Sequence, residues 1–245
     1  MRPITLALCL ALLAGCSSAE PAPARDDAPA APAGAPDGQP ATPAATPAPD
    51  PAAEAEDHCR RGMACLNDGR PDDALQAFTR AVALTPDDPF PYAARSLAHN
   101  HLGQRQAAVD DLGAAIDRTR EEALLLDLFA LRGAVRTELG QWTEGAADLS
   151  RCIDGGKDEL ELRISRGLCL LELGELPRAI LDAEAVVRHA PEDDGARGRG
   201  LWLRGLIRER AGQLEPALAD LQAAVEAGHT DCEADVERVR AAIGR

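Results

Sequence analysis

Apolar and small residues recur along this chain as paired helical stripes, and the pairs themselves recur. The second stripe of each pair reads Ala74, Phe78 and Ala81, then Ala108, Leu112 and Ala115, then Gly145, Leu149 and Cys152. It continues as Ala179, Ala183 and Val186, and as Ala217, Leu221 and Ala224. A spacing of i, i+4, i+7 is one face of an α-helix. The stripe before each carries one small residue: Gly62, Ser96, Gly133, Gly167 or Gly205. Small residues on two facing helices let their axes approach closely. Between the stripes lie Gly69, Gly103, Gly140, Gly174 and Gly212, separated by 34, 37, 34 and 38 residues. Each is placed to end a first helix in the left-handed conformation. Pro86 and Pro191 follow second helices, where proline stops continuation.

The pattern predicts an all-α fold of about five helical hairpins, over residues 55–88, 89–122, 126–159, 160–193 and 198–231. A hairpin of this size cannot bury its apolar face alone, so the hairpins are expected to stack. Cys232, Val236, Val239 and Ile243 then form a 4-3-4 stripe, which predicts a capping helix over about 231–243. Extra residues near Thr119–Leu125 and Asp194–Arg197 interrupt the period.

The first 56 residues follow another logic. Arg2 precedes an apolar run from Ile4 to Leu13, too short to span a bilayer as a helix. Then comes Leu13-Ala14-Gly15-Cys16. A basic start, a short apolar core and small residues before a cut describe an export signal, here over 1–15. The four residues ending in Cys16 resemble the lipobox of bacterial lipoproteins. The resemblance implies that the Cys16 thiol takes a lipid and becomes the mature N-terminus, anchored without spanning the membrane. Ser17 stands where aspartate retains some lipoproteins in the inner membrane. By the same resemblance the outer membrane, facing the periplasm, is expected in a two-membrane cell, and the outer face of the cytoplasmic membrane otherwise. Residues 16–56 are mostly Ala and Pro, with almost no large apolar side chain to bury. They read as a disorder-prone tether that reaches ~120 Å if fully extended. The folded domain is then expected over 57–245.

Charge narrows the partners. The formal net charge of −15 divides into −5 before Asp57 and −10 after it. Nucleic-acid binding needs a basic footprint, which this chain lacks. Anionic headgroups are equally unsuited to it beyond the lipid itself. Aromatic residues make up 2% of the chain, so the core must be built from Leu, Ala, Val and Ile.

One polar column accompanies the apolar ones. Arg61, Arg95, Arg132, Arg166 and Arg204 each precede the small residue of a first helix. Sixteen residues after the last four sit Asp111, Asp148, Asp182 and Asp220, with Ala77 in the corresponding place after Arg61. Pairing within each hairpin is the most economical arrangement and leaves Arg61 without an acid. As exposed pairs these would each contribute ~0–1 kcal/mol. The competing reading makes the arginines a basic ladder for an acidic ligand.

Chemistry is sparse. His99 and His101 are two apart on a helix and diverge, unlike the i, i+4 pair of a zinc helix motif. Glu121-Glu122 and Asp193-Asp194 fall in expected loops. Cys59, Cys65, Cys152, Cys169 and Cys232 remain once Cys9 is removed with the signal and Cys16 carries lipid. An odd number cannot pair completely within one chain. Cys152 and Cys169 occupy apolar columns and read as small buried hydrophobes. The sequence therefore predicts no catalytic residue, no metal site and no cofactor.

On these columns the chain resembles the tetratricopeptide-repeat family over about residues 55–231. The first unit, 55–88, carries the small pair Gly62 and Ala74, the apolar Phe78 and Ala81, and the terminal Pro86. The family's large early aromatic is kept loosely, as Tyr92 and Phe129, and Arg120, Lys157 and His229 replace the terminal proline. The resemblance implies a right-handed superhelical stack whose first helices line a concave face that binds a peptide or helix. In this register the face carries Met63, Leu66, Phe90, Leu97, Ile164, Leu168, Leu171, Trp202 and Leu206. The family's Lys/Asn clamp for a terminal carboxylate is absent. An apolar groove favours an amphipathic helix or apolar peptide. The expected function is an envelope scaffold with an unidentified protein partner, possessing a membrane anchor and no enzymatic activity. A structural or self-associating spacer is the alternative, and an enzyme using its acids or cysteines a more distant one. Trp202 reads either as the groove's anchor or as a core residue of the last hairpin.

Overall fold

Pro71 and Pro89 each open a helix, as their fixed φ and missing N–H suit the first turn. The computed structural model describes residues 50–190 and 195–244. The export signal, Cys16, nearly all of the tether and Pro191 lie outside the described residues. Eleven α-helices and one 3₁₀ turn follow one another, with no strand among the described residues. The first hairpin is α1 (Pro51–Asn67) and α2 (Pro71–Leu84), the second α3 (Pro89–His101) and α4 (Arg105–Arg118). The third is α5 (Glu122–Glu138) and α6 (Trp142–Asp154), and the fourth α7 (Leu160–Glu172) and α8 (Leu176–His189). The fifth is α9 (Gly195–Arg210) and α10 (Leu214–Glu226). The 3₁₀ turn Thr230–Cys232 leads to α11 (Glu233–Ile243), which packs on α10.

Each hairpin packs its two helices on each other, and each second helix packs on the next first helix. This is the expected stack. The turns are made alike: Gly69, Gly103, Gly140, Gly174 and Gly212 have φ between 72° and 77°. At the first, Gly69 N–H reaches Leu66 O at 3.0 Å and Arg70 N–H reaches Cys65 O at 2.8 Å. Those bonds satisfy carbonyls that the helix end leaves open, and a side chain at φ 72° would strain the cap.

The small column does what its spacing predicts. A Cβ on Gly62 would lie 2.5 Å from the Phe78 ring, and one on Gly133 would lie 2.8 Å from Leu149 Cγ. One on Gly205 would lie 2.8 Å from Leu221 Cγ. Phe78, Leu112, Leu149 and Leu221 are buried, and the core is otherwise mostly Ala, Leu, Val and Cys, with Met63, Ile164 and Ile207. The early aromatics take cations: the Arg118 guanidinium lies 4.4 Å from the Tyr92 ring centroid and that of Arg151 lies 4.9 Å from Phe129. Each arginine comes from the second helix of the same hairpin.

Two boundaries differ from the sequence expectation. Helix α1 starts at Pro51, inside the segment read as tether up to residue 56. Proline is tolerated in a first turn, Ala52 and Ala53 are strong helix formers, and Glu54 complements the helix dipole. The extra residues before the third hairpin do not loop out. Thr119 Oγ1 accepts from Glu121 N–H at 3.2 Å, and residues 122–125 add a turn to α5. Likewise 195–197 belong to α9, which runs to 16 residues.

Candidate functional site

The Arg–Asp column forms four charge-assisted clamps. Arg95 donates to Asp111 at 2.8 and 2.6 Å, and Arg132 to Asp148 at 2.8 and 2.9 Å. Arg166 donates to Asp182 at 2.8 and 2.7 Å, and Arg204 to Asp220 at 2.9 and 2.6 Å. All four are bidentate and all lie within a hairpin, as economy required. Arg61 is not stranded: it pairs with Asp57 one turn back on α1.

The expectation of exposed pairs is corrected. The Asp148 and Asp182 side chains are 2% exposed and their arginines 14%. The reason is position, because each arginine lies against the preceding second helix. A Cβ on Gly113 of α4 would stand 3.7 Å from Arg132 Nη1, and Arg166 Nη1 reaches Ser150 Oγ of α6 at 3.4 Å. A second arginine helps three of the carboxylates. Arg136 reaches Asp148 at 2.6 Å, Arg163 reaches Asp182 at 3.0 Å, and Arg208 reaches Asp220 at 2.6 Å. His99 Nε2 stands 3.6 Å from Asp111. Hydrogen bonding to the aspartates holds the Arg95 and Arg204 guanidiniums above their ordinary pKa against the opposing effect of burial. These arginines are mostly buried and each is clamped to a buried carboxylate, which makes them a structural column rather than an open ladder for an acidic ligand.

The inner face is tighter than the sequence implied. Met63, Leu97, Ile164 and Leu171 are buried, whereas Leu66, Phe90, Leu168, Trp202 and Leu206 are half-buried. Successive first helices α1 and α3, α5 and α7, and α7 and α9 touch, which closes the floor between them. Ala93 and Ala130, at 1% and 0% exposed, offer the floor almost no free surface. Ion pairs reinforce the stack. Asp127 pairs with Lys157 inside the third hairpin, and Glu161 with Arg199 between the fourth and fifth. Arg105 reaches Glu138 at 2.7 Å, Arg210 approaches Glu172 at 3.8 Å, and Arg238 reaches Glu209 at 2.6 Å.

Of the two roles weighed for Trp202, the structure gives it packing. Its indole lies against the cluster of Ala217, Leu221, Val236 and Val239 and that of Leu201, Ala224 and Cys232. Its Nε1–H donates to Asp235 of α11 at 2.9 Å. Trp202 is thus joined to α11 by packing and by a hydrogen bond. Leu203, one position on, is fully buried on another side of α9.

Three of the thiols are held protonated by burial. Burial pushes the Cys152 thiol up to about 12, with Asp148 adding to the shift. Burial also raises Cys169 and Cys232. The Cys169 thiol contacts Thr137 Oγ1 at 3.2 Å and occupies the space beside Gly145, where an added Cβ would lie 3.3 Å away. Among the described residues, no group of three or more His, Cys, Asp or Glu side chains is placed to hold a metal ion. No helix among them is long and apolar enough to cross a membrane.

This architecture defines a stack of antiparallel helical hairpins, and comparison with known proteins agrees. Residues 55–88 and 132–195 match tetratricopeptide-repeat family models. Those two segments resemble the repeat, and the described domain is a stack of tetratricopeptide-type helical hairpins. Tetratricopeptide repeat protein 16 of Homo sapiens is 28% identical over 165 residues, covering 64% of this chain and 18% of that protein. The TPR repeat-containing thioredoxin TDX of Arabidopsis thaliana is 32% identical over 96 residues, covering 39% and 24%. The chain thus spans a quarter or less of these curated relatives. Among solved structures, residues 41-end of MamA from Desulfovibrio magneticus RS-1 superpose with a TM-score of 0.65 at 18% identity. That match covers 72% of this chain and 96% of the other. YrrB, described as a TPR protein with an unusual peptide-binding site, gives 0.63 at 20% identity, covering 77% and 91%. These likenesses establish the fold.

Proposed function

We propose that this protein is a non-enzymatic, lipid-anchored envelope scaffold whose helical repeats hold a segment of another protein. The observation that carries the reading is the repeat array itself: five hairpins follow one another, each second helix packed on the next first helix. A repeated surface of this kind suits an extended partner. Likeness to YrrB, whose description names a peptide-binding site, supports the same reading. The half-buried Leu66, Phe90, Leu168 and Leu206 are the apolar contacts the inner face retains. Trp202 is left out of the site because it is joined to α11. Membrane attachment rests on Leu13-Ala14-Gly15-Cys16 and the Ala/Pro segment after it.

A photo-crosslinking residue at Leu168 or Leu206, in intact cells, tests the face. A discrete adduct from those positions and none from Leu181 on the second-helix side supports the site. Adducts from Leu181 alone refute it. Anchoring is tested by mass spectrometry of the mature N-terminus. A lipid-modified Cys16, and a soluble or uncleaved Cys16→Ala chain, are expected, whereas an unmodified end beginning elsewhere removes the anchor.

A second reading, a passive or self-associating spacer, draws on the burial of Met63, Leu97, Ile164 and Leu171. It predicts no adduct to another protein from either face.

A further inference from the structure

The last helix is fastened by a polar cluster as well as by its apolar stripe. Val236 and Val239 pack with Ala217 and Leu221, and Cys232 packs with Leu201 and Ala224. Asp235 bridges outward from the stripe: one oxygen accepts from Trp202 and the other from Arg238. Arg238 also donates to both oxygens of Glu209, at 2.9 and 2.6 Å.

The chain reaches α11 through Ala227, Gly228 and His229. Gly228 has φ 88°, and His229 N–H donates to Ala224 O at 2.9 Å, closing the end of α10. The His229 carbonyl then accepts the Cys232 thiol at 2.9 Å. Its ring stands 5.3 Å from the Trp202 ring, tilted by 59°. Its Cβ is 3.0 Å from where a side chain on Gly198 would begin. The imidazole is therefore wedged between α9 and the segment that carries the cap.

Histidine is the side chain whose charge changes in the physiological range. The charged groups facing His229 are Arg199 from α9, Asp231 from the 3₁₀ turn and Asp235 from α11. The two carboxylates favour the imidazolium, while burial and Arg199 oppose it. Burial is the largest effect, so the folded protein holds this group below its ordinary value of 6.5. Asp235 is already engaged by Trp202 and Arg238, which limits what it can offer a new cation.

We propose that α11 is an acid-released cap: protonation of His229 loosens the 3₁₀ turn and α11 from the stack while the five hairpins stay folded. The sign follows from linkage. The unfolded segment binds the proton more readily, so His229 contributes its full stabilisation above pH 6.5 and loses it as pH falls through and below that value. The loss is local because α11 packs chiefly on α10 and the 3₁₀ turn. Release uncovers Trp202, Leu214, Leu218 and Val225, the apolar side chains packed against the last core cluster.

Hydrogen exchange of the full chain between pH 8 and 5, corrected for the intrinsic pH dependence of exchange, tests the proposal. Protection over 233–243 should fall several-fold below pH 6.5 while α7 and α8 keep theirs. The His229→Gln chain should show no such step. Unchanged protection of 233–243 at pH 5, the same step in His229→Gln, or uniform loss across all helices would each overturn it. A Trp142→Phe chain provides a measurement that leaves the cluster intact. Its Trp202 emission should shift to the red with a midpoint below pH 6.5, and emission constant to pH 5 would refute release.

Discussion

Leu203 crosses a hairpin boundary to fill the space beside Gly167. A Cβ on Gly167 would lie 2.6 Å from Leu203 Cδ2. In three other hairpins the glycine of this column meets a large side chain of its own second helix. Here that position is Ala183, and the next hairpin supplies the missing volume. Gly167→Leu should therefore overpack two hairpins at once and cost about 1–3 kcal/mol. Denaturant unfolding of Gly167→Ala, Leu203→Ala and the double variant measures the coupling. The double variant should be more stable than the sum of the two changes predicts, because Leu203→Ala makes room for the added methyl group.

The buried clamps and the exposed pair should behave differently. Asp148→Ala leaves Arg132 and Arg136 without their shared carboxylate and should cost about 3–5 kcal/mol. Arg61→Ala removes a side chain that is 67% exposed and should change stability by ~0–1 kcal/mol. Equal melting temperatures for the two variants would contradict the burial of this column.

Trp202 joins α9 to α11, so its truncation should act on folding. Trp202→Ala should cost about 3–5 kcal/mol, in the range for a large aromatic core residue. Trp202→Phe keeps most of the packing and gives up the bond to Asp235, at about 0.5–1.5 kcal/mol. Thermal melts of both variants check the order.

The thiols make a prediction about alkali. An unfolded Cys152 ionises near 9.0, whereas the folded one keeps its proton until about 12. Its contribution to stability is complete below pH 9.0 and is lost as pH rises from there towards 12. Stability measured from pH 8 to 10.5 should fall, and the slope should be smaller in Cys152→Ala. In the native state at pH 8, alkylation should reach the half-buried Cys65 before Cys152, Cys169 or Cys232. Peptide mass mapping reads that order.

Much of this arrangement was legible from spacing because it is periodic. Gly69 and its four counterparts announce turns, since few other residues adopt φ near 72°. The sixteen-residue offset from Arg132 to Asp148 gives their pairing, because it joins facing positions on consecutive helices. What spacing does not carry is the third body. Arg132, which clamps Asp148, lies against the preceding hairpin, and Ala183 is compensated by the following one. Both depend on how tightly successive hairpins close, which no single unit records. The candidate site shares this limit. Which residues face inward follows from helical period, but how closely successive first helices approach does not, and Leu97 and Ile164 prove to be buried. Trp202 was assigned to that face by register, and the helix that covers it comes from outside the repeat.

Because Asp111, Asp148, Asp182 and Asp220 each draw their bidentate cation from the same hairpin, a whole unit carries its buried carboxylates together with the cations that neutralise them. Duplicating or excising one such unit leaves no orphan ion in the interior. An ancestral array with this wiring was free to grow or shrink by single units, and the length of the stack becomes a heritable variable separate from the chemistry that holds it together.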